Sequence, residues 1–462
     1  MSTQKKSFHF KEALFILVMI LVIIYSSLFV LKTEPHIALL NCLVLISILG
    51  LLKGYPWKKL EDGIVKGIQS GIQPIIILAL IGILIGAWMS SGTIPTVMVY
   101  ALTIIDPHYL LITSLFSCMV ISSLVGSSFT TVSTVGVALM GAGMAIGLPV
   151  EWVAGAIISG ACFGDKMSPM SDTTNFASGV ASVELFTHIR HMTKTTIPSI
   201  LITAVVFFIL GRMTPIQSSS ITEMTNMITN IEGTINVSPL TLLSPLLVII
   251  LAIRKISVIP SLIMGIITAG VTALSIQGIQ LTQFLQVLQN GTTFSIANEQ
   301  VVNMMNRGGL QSMMWSISLI LIAFAFGGLL DVLKIIPTLL TGLIERVHTK
   351  GQLILSTATS SLGINLLTGE QYLSILIPGQ SFKGLYDKMK IERKYMSRTL
   401  EDAGTLINPL IPWGVSGAFF AQTLGVSVVD FLPFAVFLYL SLLFSILYGF
   451  FGHDKTSKGA GT

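Results

Sequence analysis

The residues that most suggest chemistry lie in one short stretch, GDKMSPMSDTTNF, at positions 164–176. It places Asp165, Lys166 and Asp172 close together between two stretches that are otherwise apolar. A charged side chain at the centre of a bilayer costs about 2.5–3.5 kcal/mol even on a lenient insertion scale, so this concentration of charge needs a reason. Carboxylates, hydroxyls and amides are hard oxygen ligands, which suit Na+ better than a soft transition metal. The stretch therefore predicts a cation site in an apolar environment.

Three other polar interruptions accompany the first. RTLEDAGTLINPLIPWG (398–414) breaks a second apolar span, and the segments near 110–147 and 351–380 contain too many polar residues and glycines for simple crossings. Non-helical backbone is tolerated at membrane depth only where it is buried in protein or lines a water-filled cavity. We therefore expect two broken helices and two re-entrant hairpins that enter from opposite sides. The candidate ion ligands are Asp165, Ser168, Asp172, Thr173, Thr174 and Asn175 in the first break, Asp402 and Asn408 in the second, Ser128 and Thr130 in the first hairpin, and Asn365, Thr368 and Glu370 in the second.

A broken helix is suited to binding an ion. It leaves unpaired carbonyls on one half and unpaired N–H groups on the other, with their partial charges directed into the gap. Pro169 makes the first break persistent because it cannot donate a helical hydrogen bond. A carboxylate in the gap can bind either a cation or a proton. We predict Asp172 as the carboxylate that exchanges the two, with Asp165 next and the acids of the second half after them. Asp172, Asp165 and Thr173 are the predicted Na+ ligands.

The composition restricts the class of protein. Of the 462 residues, 52% are hydrophobic and only 10% are charged, against about 25% charged in soluble domains, and the mean hydropathy is +0.84. Several apolar runs are long enough to cross about 30 Å of hydrocarbon as helices. These features predict an all-α polytopic membrane protein with about ten transmembrane helices, two re-entrant hairpins and the lipid bilayer as its environment.

Three details of the composition are explained by the same class. The net charge of +5 is assigned to loop lysines and arginines rather than to a nucleic-acid surface, so no nucleic-acid partner is expected. The first apolar run is too long for a signal peptide and lacks an A-x-A cleavage site, which predicts an uncleaved first span. Cys42, Cys118 and Cys162 lie in apolar segments and are predicted to be packing residues.

The two halves of the chain resemble each other. KGIQSGIQPIIILALIGILIGAWMSSGTIPTV (66–97) aligns with RGGLQSMMWSISLILIAFAFGGLLDVLKIIPTL (307–339). SSLVGSSFTT (122–131) aligns with SSLGINLLTG (360–369), and Asp165 aligns with Asp402. The offset in residue number between aligned positions becomes slightly smaller from the first match to the last. Because the matches keep the same order, they predict an internal duplication. An odd number of crossings in each copy would invert one copy relative to the other.

The positive charges predict the topology. With the N-terminus in the cytoplasm, 22 of the 26 lysines and arginines lie on the cytoplasmic side, three lie outside, and Lys166 remains, as the positive-inside rule requires. Both termini are therefore predicted in the cytoplasm of a multi-pass protein of the cytoplasmic membrane.

The predicted spans are 13–31, 37–52, 72–90, 150–189, 195–211, 239–253, 257–276, 311–330, 399–425 and 431–451. The predicted units are an N-terminal transmembrane hairpin (1–53), a first repeat with a broken helix (54–211), a connecting loop with two transmembrane helices (212–278) and a second, inverted repeat with a broken helix and a C-terminal helix (279–462).

The polar motifs also resemble those of a known family. GDKMSPMSDTTNFAS (164–178) resembles the signature of the NhaC family of Na+/H+ antiporters, in the wider ion transporter superfamily, and EDAGTLINPLIPWG (401–414) is similar to the same family. The length and the basic N-terminus also match, so the resemblance covers nearly the whole chain. It implies a secondary antiporter that exchanges Na+, or Li+, for H+ by alternating access, with an inverted-repeat fold, a role in pH homeostasis and a homodimeric state. It places the ion at the hairpin tips and broken helices, here 127–131, 165–175, 365–370 and 402–408.

The sequence leaves another function open. Hairpins rich in Ser, Asn and Thr can donate hydrogen bonds to a carboxylate, so coupled exchange of a small organic acid such as malate or lactate is the alternative. The absence of arginine from the predicted spans favours inorganic ions. An enzyme is not expected, because neither H-E-x-x-H nor G-x-S-x-G occurs, and no cofactor is expected.

Further interpretations concern individual residues. Asp165 could pair with the neighbouring lysine as a purely structural ion pair instead of binding a transported ion. Glu401 is predicted to be a surface partner of Arg398, near the basic cytoplasmic loop. His188 and His191 recur at helical spacing, which fits either a pH-sensing cluster or interfacial polar residues.

Overall fold

The computed structural model describes residues 8–104, 106–213, 218–254, 256–294 and 305–451, and all regular structure in these ranges is helical. The helices of the first half are α1 (Phe10–Tyr25), α2 (Pro35–Leu52), α3 (Trp57–Ser70), α4 (Ile72–Ser90), α5 (Thr93–Ile104), α6 (Leu110–Val125), α7 (Ser128–Thr131), α8 (Val137–Ile146), α9 (Val150–Met167), α10 (Asp172–Ala181) and α11 (Leu185–Met213). The following helices are α12 (Ser218–Thr234), α13 (Leu243–Ile253), α14 (Val258–Ser275), α15 (Leu281–Asn290), α16 (Met314–Val332), α17 (Ile335–Ile344), α18 (Lys350–Thr368), α19 (Gln371–Lys388), α20 (Arg393–Leu400), α21 (Val415–Leu424), α22 (Val428–Phe431) and α23 (Val436–Phe451).

The predicted class of polytopic helical membrane protein is confirmed. Among the described residues, eight helices are long and apolar enough to cross a membrane, or up to ten if each of two bent pairs is one span. The spans predicted at 72–90 and 257–276 coincide with α4 and α14 to within one residue. Helix α11 has 29 residues and is longer than its predicted span of 195–211. Long apolar runs are determined locally, which explains the agreement.

Helix α3 is an element that the hydropathy pattern did not predict. Its residues are too polar for a span, and its charged side chains lie on an exposed face that includes Lys58, Glu61 and Asp62. The opposite face is narrow and carries Gly63 and Gly67, where α3 packs closely against α16. The helix is therefore an amphipathic element attached to the bundle.

Helices of equal length recur along the chain at a spacing that supports the predicted duplication. Helices α4 and α16 have the same length, and so do α10 and α21. The α4–α16 spacing is the one that the match of 66–97 with 307–339 predicts. Left-handed turns at Gly126 (φ 73°) and Gly369 (φ 66°) have the same spacing as α10 and α21. At that spacing Asp165 corresponds to Asn408, whereas the sequence match pairs it with Asp402.

The two predicted hairpins lie at corresponding places in the repeats. The first runs from α6 through Gly126 and Ser127 into α7, a π-helical turn and α8, and the second consists of α18 and α19. In the first hairpin each arm has 19 residues and is apolar enough to cross a membrane by itself, counting the short turns. Its hydroxyl groups do not interrupt the second arm, because Ser133 and Thr134 donate to the carbonyls of Phe129 and Thr130 within the helix.

Contacts between loops agree with the predicted grouping of cytoplasmic segments. Lys53 forms an ion pair with Glu12 at 2.7 Å, and the Arg346 guanidinium lies 5.0 Å from the centre of the Phe10 ring. These contacts bring the start of α1, the end of α2 and the end of α17 to one end of the bundle. The orientation of that end relative to the cytoplasm remains a prediction.

Close packing of α6 against α9 positions the first break, and glycines of α9 permit it. A Cβ atom on Gly160 would lie 2.2 Å from the Leu115 carbonyl oxygen, a distance that only a shift of the backbone could relieve. Glycine at this position therefore permits the close approach of the two helices.

Gly160→Ala should lower the free energy of unfolding by about 1–3 kcal/mol, because overpacking forces a backbone shift. The measurement is the midpoint temperature for loss of monodisperse protein in detergent. Gly179→Ala is the matched control, because no atom lies within 4 Å of its added Cβ. Equal midpoints for the two variants would contradict the close contact.

Candidate ion-binding site

A cavity of about 490 Å³ lies where the tips of both hairpins meet the first helix break. Three carboxylates line it, those of Asp165, Asp172 and Glu370. Within the part of the chain that the structure describes, no lysine, arginine or histidine belongs to the lining. The other lining residues are Ser70, Gln73, Pro74, Ile77, Ser127, Phe129, Phe176, Val258, Phe324, Gln371, Tyr372, Leu373 and Val415. The cavity is thus negatively charged, with no opposing positive side chain.

The cavity lies between equivalent parts of the two repeats. Four helical segments begin beside it, at positions 128, 172, 371 and 415, and the N-terminal ends of helices carry partial positive charge. The two repeats place helix starts at corresponding positions, but they do not place acidic residues at corresponding positions. Where two lining residues occupy the same position in the two repeats, at most one of them is an acid. In the register of α10 and α21, the pairs are Ser127 with Glu370, Phe129 with Tyr372, and Asp172 with Val415.

Side chains of the first motif hold the first break open. Ser171 caps α10 by accepting a hydrogen bond from the Thr174 N–H at 3.4 Å. The Thr174 hydroxyl donates to the Lys166 carbonyl at 3.0 Å, and the Asn175 amide donates to the Pro169 carbonyl at 2.9 Å. These bonds satisfy backbone groups that the break leaves without helical partners.

Asp165 is the most constrained of the three carboxylates. It is 7% exposed, and its Oδ2 atom accepts hydrogen bonds from the Ser128 N–H at 3.0 Å and the Ser128 hydroxyl at 2.6 Å. Its buried Oδ1 atom has no hydrogen-bond partner among the described residues. An unpaired buried polar atom is costly, so this oxygen has the capacity to accept a further hydrogen bond or to bind a cation.

Asp172 is more accessible and lies between two cavities. Its Oδ2 atom accepts a hydrogen bond from the Tyr372 hydroxyl, and its Oδ1 atom accepts one from the Thr173 N–H at 3.0 Å. Asp172 and Ser127 also line a second cavity of about 340 Å³, together with Thr130, Asn175 and residues of α13 and α14. Asp172 can therefore be reached from both cavities.

Glu370 has a structural role at the tip of the second hairpin. It is 5% exposed and caps α19 by accepting a hydrogen bond from the Leu373 N–H at 2.7 Å. The equivalent cap in the first repeat is Ser127. Glu370 thus adds a third carboxyl group to the cavity wall while one of its oxygens remains committed to the helix.

Lys166 forms an ion pair with Asp402 in the other repeat. Both side chains are 0% exposed, and the Thr195 hydroxyl also donates to Asp402, at 3.3 Å. The alternative in which Lys166 pairs with its neighbour Asp165 is therefore wrong. The ion pair joins α9 to the second break and removes the lysine charge from the cavity.

The second break is held by two asparagines. It begins at a π-helical turn (Glu401–Thr405), whose Gly404 carbonyl accepts a hydrogen bond from the Asn365 amide at 2.5 Å. The Asn408 amide donates to Asn365 Oδ1 at 2.8 Å and to the Gly369 carbonyl at 2.9 Å. Asn408 Oδ1 accepts from the Ser416 N–H at 2.7 Å, so both amides are bonded to neighbouring parts of the second repeat.

Comparison with known proteins identifies the family. The model of the Na+/H+ antiporter family matches residues 160–453. The chain is 58% identical over 451 residues to the Na(+)/H(+) antiporter NhaC of Bacillus subtilis (strain 168), covering 97% of this chain and 99% of that protein. The chain belongs to the Na+/H+ antiporter family.

Other members of the family are similar over comparable lengths. The chain is 51% identical to the Na(+)/H(+) antiporter NhaC of Alkalihalophilus pseudofirmus (strain ATCC BAA-2126 / JCM 17055 / OF4), over 95% of each protein. It is 31% identical to the malate-2H(+)/Na(+)-lactate antiporter of Bacillus subtilis (strain 168), over 96% of this chain and 94% of that protein. The resemblance to NhaC antiporters is therefore confirmed over nearly the whole chain.

The structure of this antiporter-family chain brings some of the predicted ligands together and separates others. Asp165, Asp172 and Glu370 line the main cavity, and Ser128 holds Asp165 in place. Tyr372 bonds to Asp172 but was not predicted; its position two residues after Glu370 was the available signal. Thr130 and Asn175 line the second cavity, whereas Ser168, Thr173, Thr174, Asn365, Thr368, Asp402 and Asn408 lie outside both linings.

Two predictions about surface residues need correction. Glu401 is 0% exposed and accepts a hydrogen bond from the Thr173 hydroxyl at 3.3 Å, so it is not a surface partner of Arg398. Arg398 is itself 0% exposed and donates to the Ser445 carbonyl. His188 and His191 are also buried, so they are not exposed interfacial residues. The basic loop is shorter than the sequence suggested because α20 carries its last residues into the bundle.

Lys166→Met should lower the free energy of unfolding by about 3–5 kcal/mol, because it leaves Asp402 charged and unpaired in the interior. The double variant Lys166→Met with Asp402→Asn should recover most of that loss. Thermal midpoints in detergent measure both. Lys58→Met is the control: its partners Glu61 and Asp62 are largely exposed, so its midpoint should stay close to that of the wild type. A single variant as stable as the double variant would contradict the pairing.

Proposed function

We propose that this protein exchanges Na+ for H+ across the cytoplasmic membrane by alternating access. Its membership of the Na+/H+ antiporter family supports this function, as do the two NhaC relatives at 58% and 51% identity. The structural observation that carries the proposal is the cavity lined by three carboxylates and by no positively charged residue among those described. Such a cavity attracts cations and repels anions.

We propose Asp165 and Asp172 as the pair that binds Na+ or H+ in turn. Asp165 lines the main cavity, its Oδ1 atom has no hydrogen-bond partner among the described residues, and Ser128 fixes the orientation of its carboxylate. Asp172 contributes charge from the start of α10 and lies between the two cavities. Either ion neutralises one negative charge, so their binding is mutually competitive.

Three features would support this exchange without binding the ion directly. Ser128 and Tyr372 donate to one carboxylate oxygen each, which limits rotation of the two acids. The Lys166–Asp402 pair keeps a permanent positive charge away from the ion. The second cavity gives Asp172 a further wall of polar residues beside the main cavity, including Thr130 and Asn175.

Exchange of a small organic acid fits this geometry less well. A dicarboxylate needs positively charged partners, and the main cavity offers three carboxylates instead. The malate-2H(+)/Na(+)-lactate antiporter is also the more distant relative, at 31% identity. We therefore propose inorganic cations as the substrates.

We also propose the finer assignments that the family resemblance implies. Both termini would lie in the cytoplasm, in agreement with the distribution of lysine and arginine, and the protein would act as a homodimer in pH homeostasis. Modification of single cysteines introduced on either side of α1, in a cysteine-free background, would determine the orientation.

Asp172→Asn and Asp165→Asn should each reduce Na+-driven proton movement to the level of protein-free liposomes, because an amide binds neither a proton nor the charge of Na+. The measurement uses proteoliposomes with an acidic interior and an internal pH dye, to which NaCl is added outside. Asp331→Asn is the control, because this exposed acid lies at the end of α16. Normal exchange in either site variant would remove that residue from the role.

Sodium malate added to the same vesicles tests the alternative function. We expect NaCl and sodium malate to alkalinise the interior at equal rates at equal Na+ concentration, because the cavity binds the cation alone. A response to malate in the absence of any response to NaCl would assign the protein to organic-acid exchange. LiCl and KCl in parallel then measure the cation preference.

A further inference from the structure

A groove separate from both cavities lies between α1, α17 and α18. Its volume is about 230 Å³, and among the described residues it shares no lining residue with the two cavities. Phe10, Leu14 and Leu17 form one wall at successive turns of α1, and three leucines and one isoleucine of α17 form another. The third wall is α18, which supplies the polar side chains of the described lining, Thr359 and Ser360. The groove is therefore mostly apolar.

A glycine of α18 leaves the space that forms the groove. Gly363 lines the groove, and a Cβ atom on it would have no described atom within 4 Å. Gly351 on the same helix differs, because its Cβ would lie 2.5 Å from the Phe450 ring. Gly351 thus permits close packing, whereas the missing side chain of Gly363 leaves room. A space bordered by apolar side chains suits an apolar occupant.

The groove opens on a helix that faces the bilayer. In α1, 28% of the apolar span is buried, the smallest share among the eight candidate spans of the described chain, and Leu14 is 43% exposed. Hydrocarbon chains of lipids therefore surround this side of α1. The terminal segments outside the described residues offer little to replace them. Their sequences, MSTQKKS (1–7) and GHDKTSKGAGT (452–462), contain Met1 as the one large apolar residue.

Basic residues lie at the end of the groove where α1 begins. Arg346 is exposed, and its guanidinium lies 5.0 Å from the centre of the Phe10 ring, which lines the groove. Lys11 is exposed beside Phe10. The carboxylate of Glu12 is already paired with Lys53 at 2.7 Å. A positively charged group therefore stands beside the apolar lining, with the nearest acid of α1 neutralised.

The charge of this end suits a phosphate group. Among the described residues at the start of α1 and the ends of α2 and α17, the charged side chains are Lys11, Lys53 and Arg346 against Glu12 and Glu345. An arginine guanidinium presents a planar set of donors that matches phosphate oxygens. Basic pockets between transmembrane helices on the cytoplasmic side bind anionic lipid head groups, and the positive charges predict that this end is cytoplasmic.

We propose that the groove binds an anionic phospholipid, with one acyl chain along α1 and the phosphate at Arg346. A helix of a second copy fits less well, because a segment as long as the wall of α1 and about 10 Å across needs at least roughly three times the groove's volume of about 230 Å³. The groove lies apart from both cavities, so the inference does not depend on the proposed exchange of Na+ for H+.

Melting temperatures of delipidated protein in detergent test the proposal, because a ligand that binds only the folded state raises them. Dioleoylphosphatidylglycerol should have an apparent Kd about fivefold or more below that of dioleoylphosphatidylcholine, which has the same acyl chains and no net charge. Glycerol 3-phosphate has the phosphate without the chains and should cause no shift at the concentration at which phosphatidylglycerol saturates. Equal Kd values for the two lipids, or a shift with glycerol 3-phosphate, would overturn the proposal.

Arg346→Gln tests the head-group contact. It should raise the apparent Kd for phosphatidylglycerol about fivefold, the contribution of one basic residue near a membrane surface, and leave that for phosphatidylcholine unchanged. Arg190→Gln is the matched control, because Arg190 is exposed on α11 and lies outside the groove. The control should leave both values unchanged. Equal effects of the two substitutions would reveal a general response to surface charge and would overturn the proposed site.

Gly363→Leu tests the acyl-chain contact. The leucine should fill the groove and weaken binding of both lipids by about fivefold or more, because apolar contacts of the chain are lost, and Gly363→Ala should have a smaller effect. Gly384→Leu is the matched control, because its Cβ also has no described atom within 4 Å and it lies outside the lining. Unchanged lipid binding in Gly363→Leu would overturn the proposal. A change in the molar mass of that variant, measured by light scattering, would then assign the groove to a contact between copies.

Discussion

A helix that ends inside a membrane leaves backbone donors and acceptors that bulk water cannot reach, and the site depends on how this chain satisfies them. In the first break the partners are side chains of Ser171, Thr174 and Asn175. In the second they are the amides of Asn365 and Asn408. With these bonds made by neutral polar side chains, the carboxylate of Asp165 keeps an oxygen that no described residue uses.

Duplication supplies the framework, while the charges are unequal between the copies. Equivalent turns, caps and helix starts recur at a nearly constant spacing along the chain. At these positions Asp165 corresponds to Asn408, and Glu370 corresponds to Ser127. A full second set of acids would crowd like charges into an interior of low dielectric, where their repulsion is strong. One repeat therefore provides acids where the other provides neutral donors, caps or packing groups.

Separation of charge inside the bundle gives the cavity its selectivity. Lys166 and Asp402 neutralise each other outside the cavity, so the charged side chains of its described wall are all carboxylates. A cation entering it gains favourable interactions with several of them, whereas an anion meets repulsion.

The sequence by itself determined the membrane class, most of the spans and both helix breaks, and it predicted a duplication. The first three properties depend on local composition and on prolines and polar residues within a few positions of one another. The tertiary structure decided the spacing at which similar helices and turns recur, the distant partner of Lys166, and the burial of Glu401. It also decided that Asn365 and Asn408 stabilise a break while Asp165 and Asp172 reach a cavity. Such outcomes depend on which distant helices pack together, and residue types and spacing along the chain do not contain that information.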